Sequence, residues 1–387
     1  MGNRWIMLGV LAFAQLVLGL QCIGFAVSLP WMIGEFGLDR ASAGQLVGLY
    51  LLPAVLFALP MVRRRRRLGN RPALLLGAGL MTVGGFTTAA AGSATALAVG
   101  QAIAGIGAAQ LIVRLARVTR EWFHDLESDR ATAIHFAAWP AGAGLALAVL
   151  APLVAGVGWR LGLTVAAFAA AQTFLLLAVF FHDAPPVRAA AAAAARAERQ
   201  TKADMDCVFA VAAWLCHGAA LLVFAAYAPV WSGAAEGRPI GLVAWLGVGM
   251  LAALFVNHTA GRLTWVGRHP GTLLALTLIL WIAAALWFTA TDETKTAAIL
   301  VGFLAALPAH HAARQALPAI VDGITTERRD FTTALAATAL AVAPALAGLL
   351  WAQATDGGVV RDFAVWLGVL ALAATALRQL LRATASE

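Results

Sequence analysis

Twelve long apolar stretches run through this chain, and short polar gaps separate them. A helix needs about 20 apolar residues to cross a hydrocarbon layer of roughly 30 Å, and each stretch has about that length. Only 12% of the 387 residues are charged, whereas soluble domains carry about 25%. The sequence therefore predicts an all-α membrane protein with spans 1 to 12 at approximately residues 5–31, 42–60, 73–92, 94–117, 130–155, 160–181, 206–230, 239–259, 271–291, 294–318, 331–352 and 361–381.

Arginine and lysine are concentrated in every second gap between these spans. The gap after span 2 holds the run Arg63–Arg67, whereas the gaps after odd-numbered spans hold only Arg40, Arg160, Arg238, Lys295 and Arg361. Positive residues accumulate on the cytoplasmic side of membrane proteins. Both termini are therefore predicted to be cytoplasmic, in a bacterial-type inner membrane. The net charge of +8 is spread over short loops, which predicts no nucleic-acid partner.

The longest polar interruption divides the chain into two halves of six spans each. Pro185 and Pro186 stop the sixth helix, and an alanine-rich segment with basic residues follows. This segment is interpreted as a linker between the halves, with a regulatory element as the alternative. We predict an N-terminal six-helix bundle at residues 1–182, a cytoplasmic linker at 183–204 and a C-terminal six-helix bundle at 205–387.

The two halves repeat each other weakly at an offset of 200 residues. Gln110–Arg114 (QLIVR) corresponds to His310–Arg314 (HHAAR), and Ser128–Thr132 (SDRAT) corresponds to Arg328–Thr332 (RRDFT). Both matches fall at the end of span 4 or 10 and the start of span 5 or 11. Paired six-span halves of this kind are typical of secondary transporters whose site lies between the halves.

The gap after span 2 resembles a signature of the major facilitator superfamily. Val62–Arg71 is similar to the motif G-x-L-a-D-R-x-G-R-R, with Arg67, Gly69 and Arg71 at matching positions. Arg66 occupies the position of the motif's aspartate. The resemblance implies that this loop belongs to the cytoplasmic gate, and the missing aspartate leaves open how that gate closes.

Further segments resemble the cyanate and nitrate/nitrite-type branches of the superfamily. They include Leu29–Ile33 (LPWMI), Ala104–Ala108 (AGIGA), Trp139–Gly142 (WPAG) and Gly158–Arg160 (GWR). The resemblance covers the whole chain. It implies two pseudo-symmetric six-helix bundles, twelve transmembrane helices in all, that rock around a central cavity lined mainly by spans 1, 4, 7 and 10.

Two arginines inside the spans are the main candidates for substrate binding. Arg114 and Arg314 lie at equivalent places in spans 4 and 10. A charged arginine within a span costs about 2.5–3.5 kcal/mol on insertion scales. Two guanidinium groups can bind a carboxylate or a small oxyanion through paired hydrogen bonds. The alternative is that both side chains extend to the cytoplasmic headgroups.

Other polar and aromatic residues of the spans extend this predicted site. Gln110 shares a helical face with Arg114, because the two are four residues apart. The further substrate-binding candidates are His310, His311, His217, Trp139 and Gln21. Gln101, near the opposite face of span 4, is expected to form a hydrogen bond to a neighbouring helix.

Proton coupling in this chain would have to use histidine. Every aspartate and glutamate lies in a gap or at a span end, whereas transporters usually carry protons on buried carboxylates. Histidine titrates near pH 6.5, so the candidates are His135, His217 and His310, with packing in the core as the alternative for each.

These observations predict a monomeric secondary transporter for a small anion, driven by a proton or substrate gradient. One alternative is an exporter of amphiphilic compounds, and another is a membrane enzyme or sensor. The sequence contains no phosphate-binding loop, no familiar metal-ligand spacing and no evident nucleophile–base arrangement. We therefore expect no enzymatic activity, no cofactor and no metal.

Overall fold

The computed structural model describes residues 3–53, 69–123, 127–184, 205–231, 241–260, 270–290, 299–304, 346–347, 350 and 358–384. Within these ranges every regular element is helical, which confirms the predicted all-α fold. The helices are α1 (Asn3–Phe36), α2 (Arg40–Leu49), α3 (Asn70–Ala89), α4 (Ala94–Trp122), α5 (Ser128–Leu145), a π-helical turn (Ala146–Leu150), α6 (Ala151–Val157), α7 (Trp159–Phe180), α8 (Met205–Trp231), α9 (Gly241–Ala260), α10 (Pro270–Ala290) and α11 (Gly358–Thr384).

The helices coincide with the predicted spans wherever the structure describes them. Seven helical segments of the described residues are long and apolar enough to cross a membrane. Predicted span 5 corresponds to α5, the π-helical turn and α6 taken together. Much of predicted spans 2, 10 and 11 lies outside the described residues, as does most of the predicted linker.

Local signals account for several helix ends. The hydroxyl of Ser93 accepts a hydrogen bond from Ala96 N at 3.2 Å and caps α4. The carboxylate of Asp39 accepts from Ser42 N at 2.8 Å and caps α2, and hydrogen bonds from Ser42 lower the pKa of Asp39. Gly158, at φ +101°, lets α6 turn directly into α7.

The N-terminal bundle is built around α1. This helix packs against α5 and α7, while α3 packs between α4 and α7. Glycines allow the closest approaches: a Cβ atom at Gly142 of α5 would lie 1.8 Å from Leu16 O of α1. Because such contacts join backbones directly, the bundle has little room for rearrangement at these crossings.

The described C-terminal helices form a second packed group. α11 packs against both α8 and α10, and Trp281 of α10 is fully buried among them. The two groups meet where α1 contacts α8 and where α5 and its π-helical turn contact α9. At the second place a Cβ atom at Gly247 would lie 2.5 Å from Gly144 O.

Candidate functional site

The polar stripe predicted on span 4 lies in the interior of the protein. Arg114 is only 3% exposed, and its Nη1 atom is fully enclosed. Gln110 lies one helical turn away and is half-buried, with its Oε1 atom also enclosed. A side chain that extends to lipid headgroups would be largely exposed on the protein surface, so this burial favours the interior interpretation for Arg114.

The other half of the predicted anion site lies outside the described residues. This holds for Arg314, His310 and His311, and it holds for Arg67 of the gating loop. The juxtaposition of the two arginines therefore stays a prediction.

Gln21 lies in a polar cluster inside the N-terminal bundle. Its amide donates to Met81 O at 3.3 Å, and its Oε1 accepts from the hydroxyl of Tyr50 at 3.4 Å. Gln101 and Thr88 line the same small cavity. Sequence reasoning missed Tyr50 and Thr88, because neutral hydroxyl groups are common in apolar helices and only tertiary packing brings these two together.

His135 and Trp139 lie on α5, where this helix crosses α1. His135 is 1% exposed, and its ring meets the ring of Phe136 edge-on at 5.1 Å. Trp139 is half-buried, and a Cβ atom at Gly19 would lie 2.2 Å from its carbonyl oxygen. Trp139 therefore lies within the contact between two helices of the N-terminal bundle, and His135 lies one helical turn before it on α5.

His217 lies in the core of the second helix group. It is 1% exposed, and its ring packs edge-on against the buried ring of Trp281 at 5.8 Å. Trp281 also contacts Phe224 of α8. His217 and His135 belong to different bundles, and their part in proton coupling stays a prediction.

The described residues of the predicted gating loop connect the first turn of α3 to two other helices. Gly69 directly precedes α3, and Arg71 donates to Ala178 O of α7 at 2.8 Å. The amide of Asn70 donates to Glu121 at 3.4 Å and to Asp183 at 3.0 Å. Glu121 is also paired with Arg117. This polar cluster joins the ends of α3, α4 and α7 at the end of the molecule that is predicted to be cytoplasmic.

Comparison with known proteins identifies the family and the fold. Residues 11–377 match the family model of the Major Facilitator Superfamily. The search of curated proteins finds no significant match. The fold is similar to that of a bacterial homolog of the human lysosomal transporter Spinster, in an inward-facing and occupied conformation, with 15% identity and a TM-score of 0.66 over 98% of this chain and 97% of that one.

Two further solved structures share this fold. The xylose transporter XylE from E. coli, in a partially occluded inward-open conformation, is 15% identical, with a TM-score of 0.69 over 96% of this chain and 98% of that one. The peptide transporter POT in complex with alafosfalin is 14% identical, with a TM-score of 0.65 over 97% and 94%. Family membership indicates a transporter rather than an enzyme. This chain belongs to the Major Facilitator Superfamily and is a multi-pass membrane transporter.

Proposed function

We propose that this transporter carries a small inorganic or organic anion by alternating access, and that Arg114 supplies positive charge to its site. The observation that carries the proposal is the burial of Arg114, which is 3% exposed in a helix of the membrane-spanning bundle. A guanidinium group is costly to place within a membrane span, so its presence there often marks a functional site. An anionic substrate would pair with the positive charge of Arg114 and accept hydrogen bonds from its guanidinium N–H groups.

The remaining parts of the proposed site come from the sequence. Gln110 extends the polar stripe of Arg114 by one turn, and Arg314, His310 and His311 would face it from span 10. The resemblance to the cyanate and nitrate/nitrite-type branches supports a small oxyanion as substrate. A proton or substrate gradient would drive transport, with His135, His217 and His310 as the candidate proton carriers.

The proposed orientation follows from the distribution of charge. In the N-terminal bundle Arg4 pairs with Glu127 and Arg71 bonds to the end of α7, whereas Arg160 lies at the start of α7. In the sequence, Arg378 falls near the end of the last predicted span and Arg361 at its start. The positive-inside rule then places both termini in the cytoplasm, in a bacterial-type inner membrane, and we propose that the protein acts as a monomer.

The first test is a binding screen with the purified full-length protein. Nitrate, nitrite, cyanate and short carboxylates are titrated while the thermal melting of the protein is followed, because a bound ligand stabilises the folded state. We expect at least one of these anions to raise the melting temperature. Uptake of that anion is then measured in proteoliposomes.

Substitution of Arg114 tests its role in that uptake. A hydrogen bond to a charged group contributes about 1.5–3 kcal/mol, so Arg114→Ala should weaken anion binding by roughly tenfold to a hundredfold. Arg114→Lys keeps the positive charge but loses the planar guanidinium group with its paired N–H donors, and it should retain part of the activity. The control is Arg361→Gln, which removes a partly exposed arginine paired with its neighbour Asp362. Normal uptake by an inserted Arg114→Ala protein would refute the proposal.

A further inference from the structure

A small polar cavity lies inside the N-terminal bundle, apart from the stripe of Arg114. It has a volume of about 20 Å³ and takes its lining from α1, the end of α2, α3, α4 and α7. The lining residues that carry polar side chains are Gln21, Tyr50, Thr88 and Gln101. A cavity of roughly 10–15 Å³ is sufficient to hold one water molecule.

The hydrogen bonds around the cavity leave one strong acceptor unused. Gln101 is 4% exposed, and its Oε1 atom accepts no hydrogen bond from the described residues. The hydroxyl proton of Thr88 is used on Gly84 O at 2.9 Å, and that of Tyr50 is used on Gln21. The Gln101 oxygen therefore needs a donor from outside the lining residues.

Two glycines keep the space around these side chains open. A Cβ atom at Gly85 would lie 2.9 Å from the amide nitrogen of Gln21, and one at Gly100 would lie 2.3 Å from the hydroxyl oxygen of Thr88. Any larger residue at either position would displace the polar side chains. The backbone of α3 and α4 thus accommodates the polar groups without filling the cavity.

We propose that this cavity is a binding site for a single water molecule. The water would donate one hydrogen to Gln101 Oε1 and the other to a lone pair of the Tyr50 or Thr88 hydroxyl oxygen. The described lining residues include no carboxylate, so their chemistry fits a neutral water and not a metal cation. Bridged in this way, α1, α2, α3 and α4 form one hydrogen-bonded unit, which favours movement of the N-terminal bundle as a rigid body.

The chain offers an internal control for a labelling experiment, because it contains only two tyrosines. Tyr50 lines the cavity and is 2% exposed, whereas Tyr227 of α8 is 0% exposed and is not part of the lining. X-ray radiolysis generates hydroxyl radicals from bound water in place, whereas an iron–peroxide reagent generates them only in bulk solvent. Both treatments are applied to the full-length protein in nanodiscs, and oxidation is measured by mass spectrometry.

If a water molecule occupies the cavity, radiolysis should oxidise Tyr50 several-fold faster than Tyr227. The bulk reagent should oxidise neither tyrosine appreciably. Gln101→Leu should reduce radiolytic oxidation of Tyr50 to the level of Tyr227, while Gln101→Asn should retain it. Equal, slow oxidation of both tyrosines in the unmodified protein would show a dry cavity and overturn the proposal. Oxidation of Tyr50 by the bulk reagent would show that the cavity is open to solvent, and this result would also overturn the proposal. Both of these outcomes are read from the unmodified protein, so neither depends on the folding of a variant.

Discussion

Glu35 is the residue on which three helices converge at one end of the N-terminal bundle. Its carboxylate accepts hydrogen bonds from Trp159 Nε1 at 2.7 Å and from both terminal nitrogens of Arg160, at 3.1 and 2.7 Å. Arg160 also donates to Ala91 O and stacks on the ring of Trp159 at 4.2 Å. Glu35 and Arg160 together thereby connect the end of α1 to the start of α7 and to the end of α3.

Replacing this carboxylate should loosen that end of the bundle. Glu35→Gln keeps the size of the side chain but removes the charge that attracts Arg160, and its amide nitrogen cannot accept the hydrogen bonds of the oxygen that it replaces. We expect a lower melting temperature for the purified protein. The matched control is Asp362→Asn, which removes an exposed carboxylate paired only with the adjacent Arg361 among the described contacts. Equal melting temperatures for the two variants would show that the network adds no stability.

Residue identity alone was enough to select part of the candidate site, whose role in binding stays a prediction. A charged residue in an apolar run is conspicuous, and the sequence therefore selected Arg114, whose burial agrees with an interior position. Tyr50 and Thr88 could not be selected in this way, because neutral hydroxyls are common in spans. Their role depends on which helix faces which, and a single sequence does not contain that information.

The crossing of α1 and α5 is the element-scale feature that most restricts substitution. A Cβ atom at Gly142 would lie 1.8 Å from Leu16 O and 2.9 Å from Leu20 N, and both are backbone atoms. Gly142→Ala must therefore separate the two helices, and overpacking of this kind typically costs about 1–3 kcal/mol. The control is Gly9→Ala on the exposed side of α1, where the added Cβ atom meets nothing within 4 Å. That variant should be neutral or slightly stabilising.

Thermal melting of the two purified variants measures this difference. Gly142→Ala should melt at a lower temperature than the unmodified protein, and Gly9→Ala should not. A Gly142→Ala protein with unchanged melting would mean that α1 and α5 lie further apart than the structure shows.

Hydropathy predicted which segments are helical better than it predicted where the helices end or where their backbone departs from α-helical geometry. α1 continues to Phe36, past the predicted end at residue 31, because a helix need not stop where the apolar run stops. The π-helical turn at Ala146–Leu150 was not foreseen within predicted span 5. Its residues are as apolar as their neighbours, and the widened backbone instead coincides with the contact between this span and α9.

At the scale of the whole molecule, the two bundles meet at a contact between backbones. A Cβ atom at Gly247 of α9 would lie 2.4 Å from Ala148 N and 2.5 Å from Gly144 O. Gly247 is six residues from the start of α9, so this contact lies nearer the end of the molecule that holds Gly92 and Asp362. Alternating access requires the bundles to separate at one end at a time. The contact is therefore suited to favour closure of that end.

Gly247→Ala should shift the protein toward the conformation that is open at this end. The added methyl group cannot fit between the two backbones, and a penalty of about 1–3 kcal/mol on the closed form changes the ratio of the two states by roughly tenfold to a hundredfold. Packing within each bundle is unaffected, so the protein should remain folded.

Spin labels at Gly92 and Asp362, in a background without native cysteines, should report longer distances by pulsed electron paramagnetic resonance. Gly241→Ala on the same helix, where a Cβ atom meets nothing within 4 Å, should leave the distances unchanged, and an unchanged distribution for Gly247→Ala would exclude this contact as a determinant of the equilibrium.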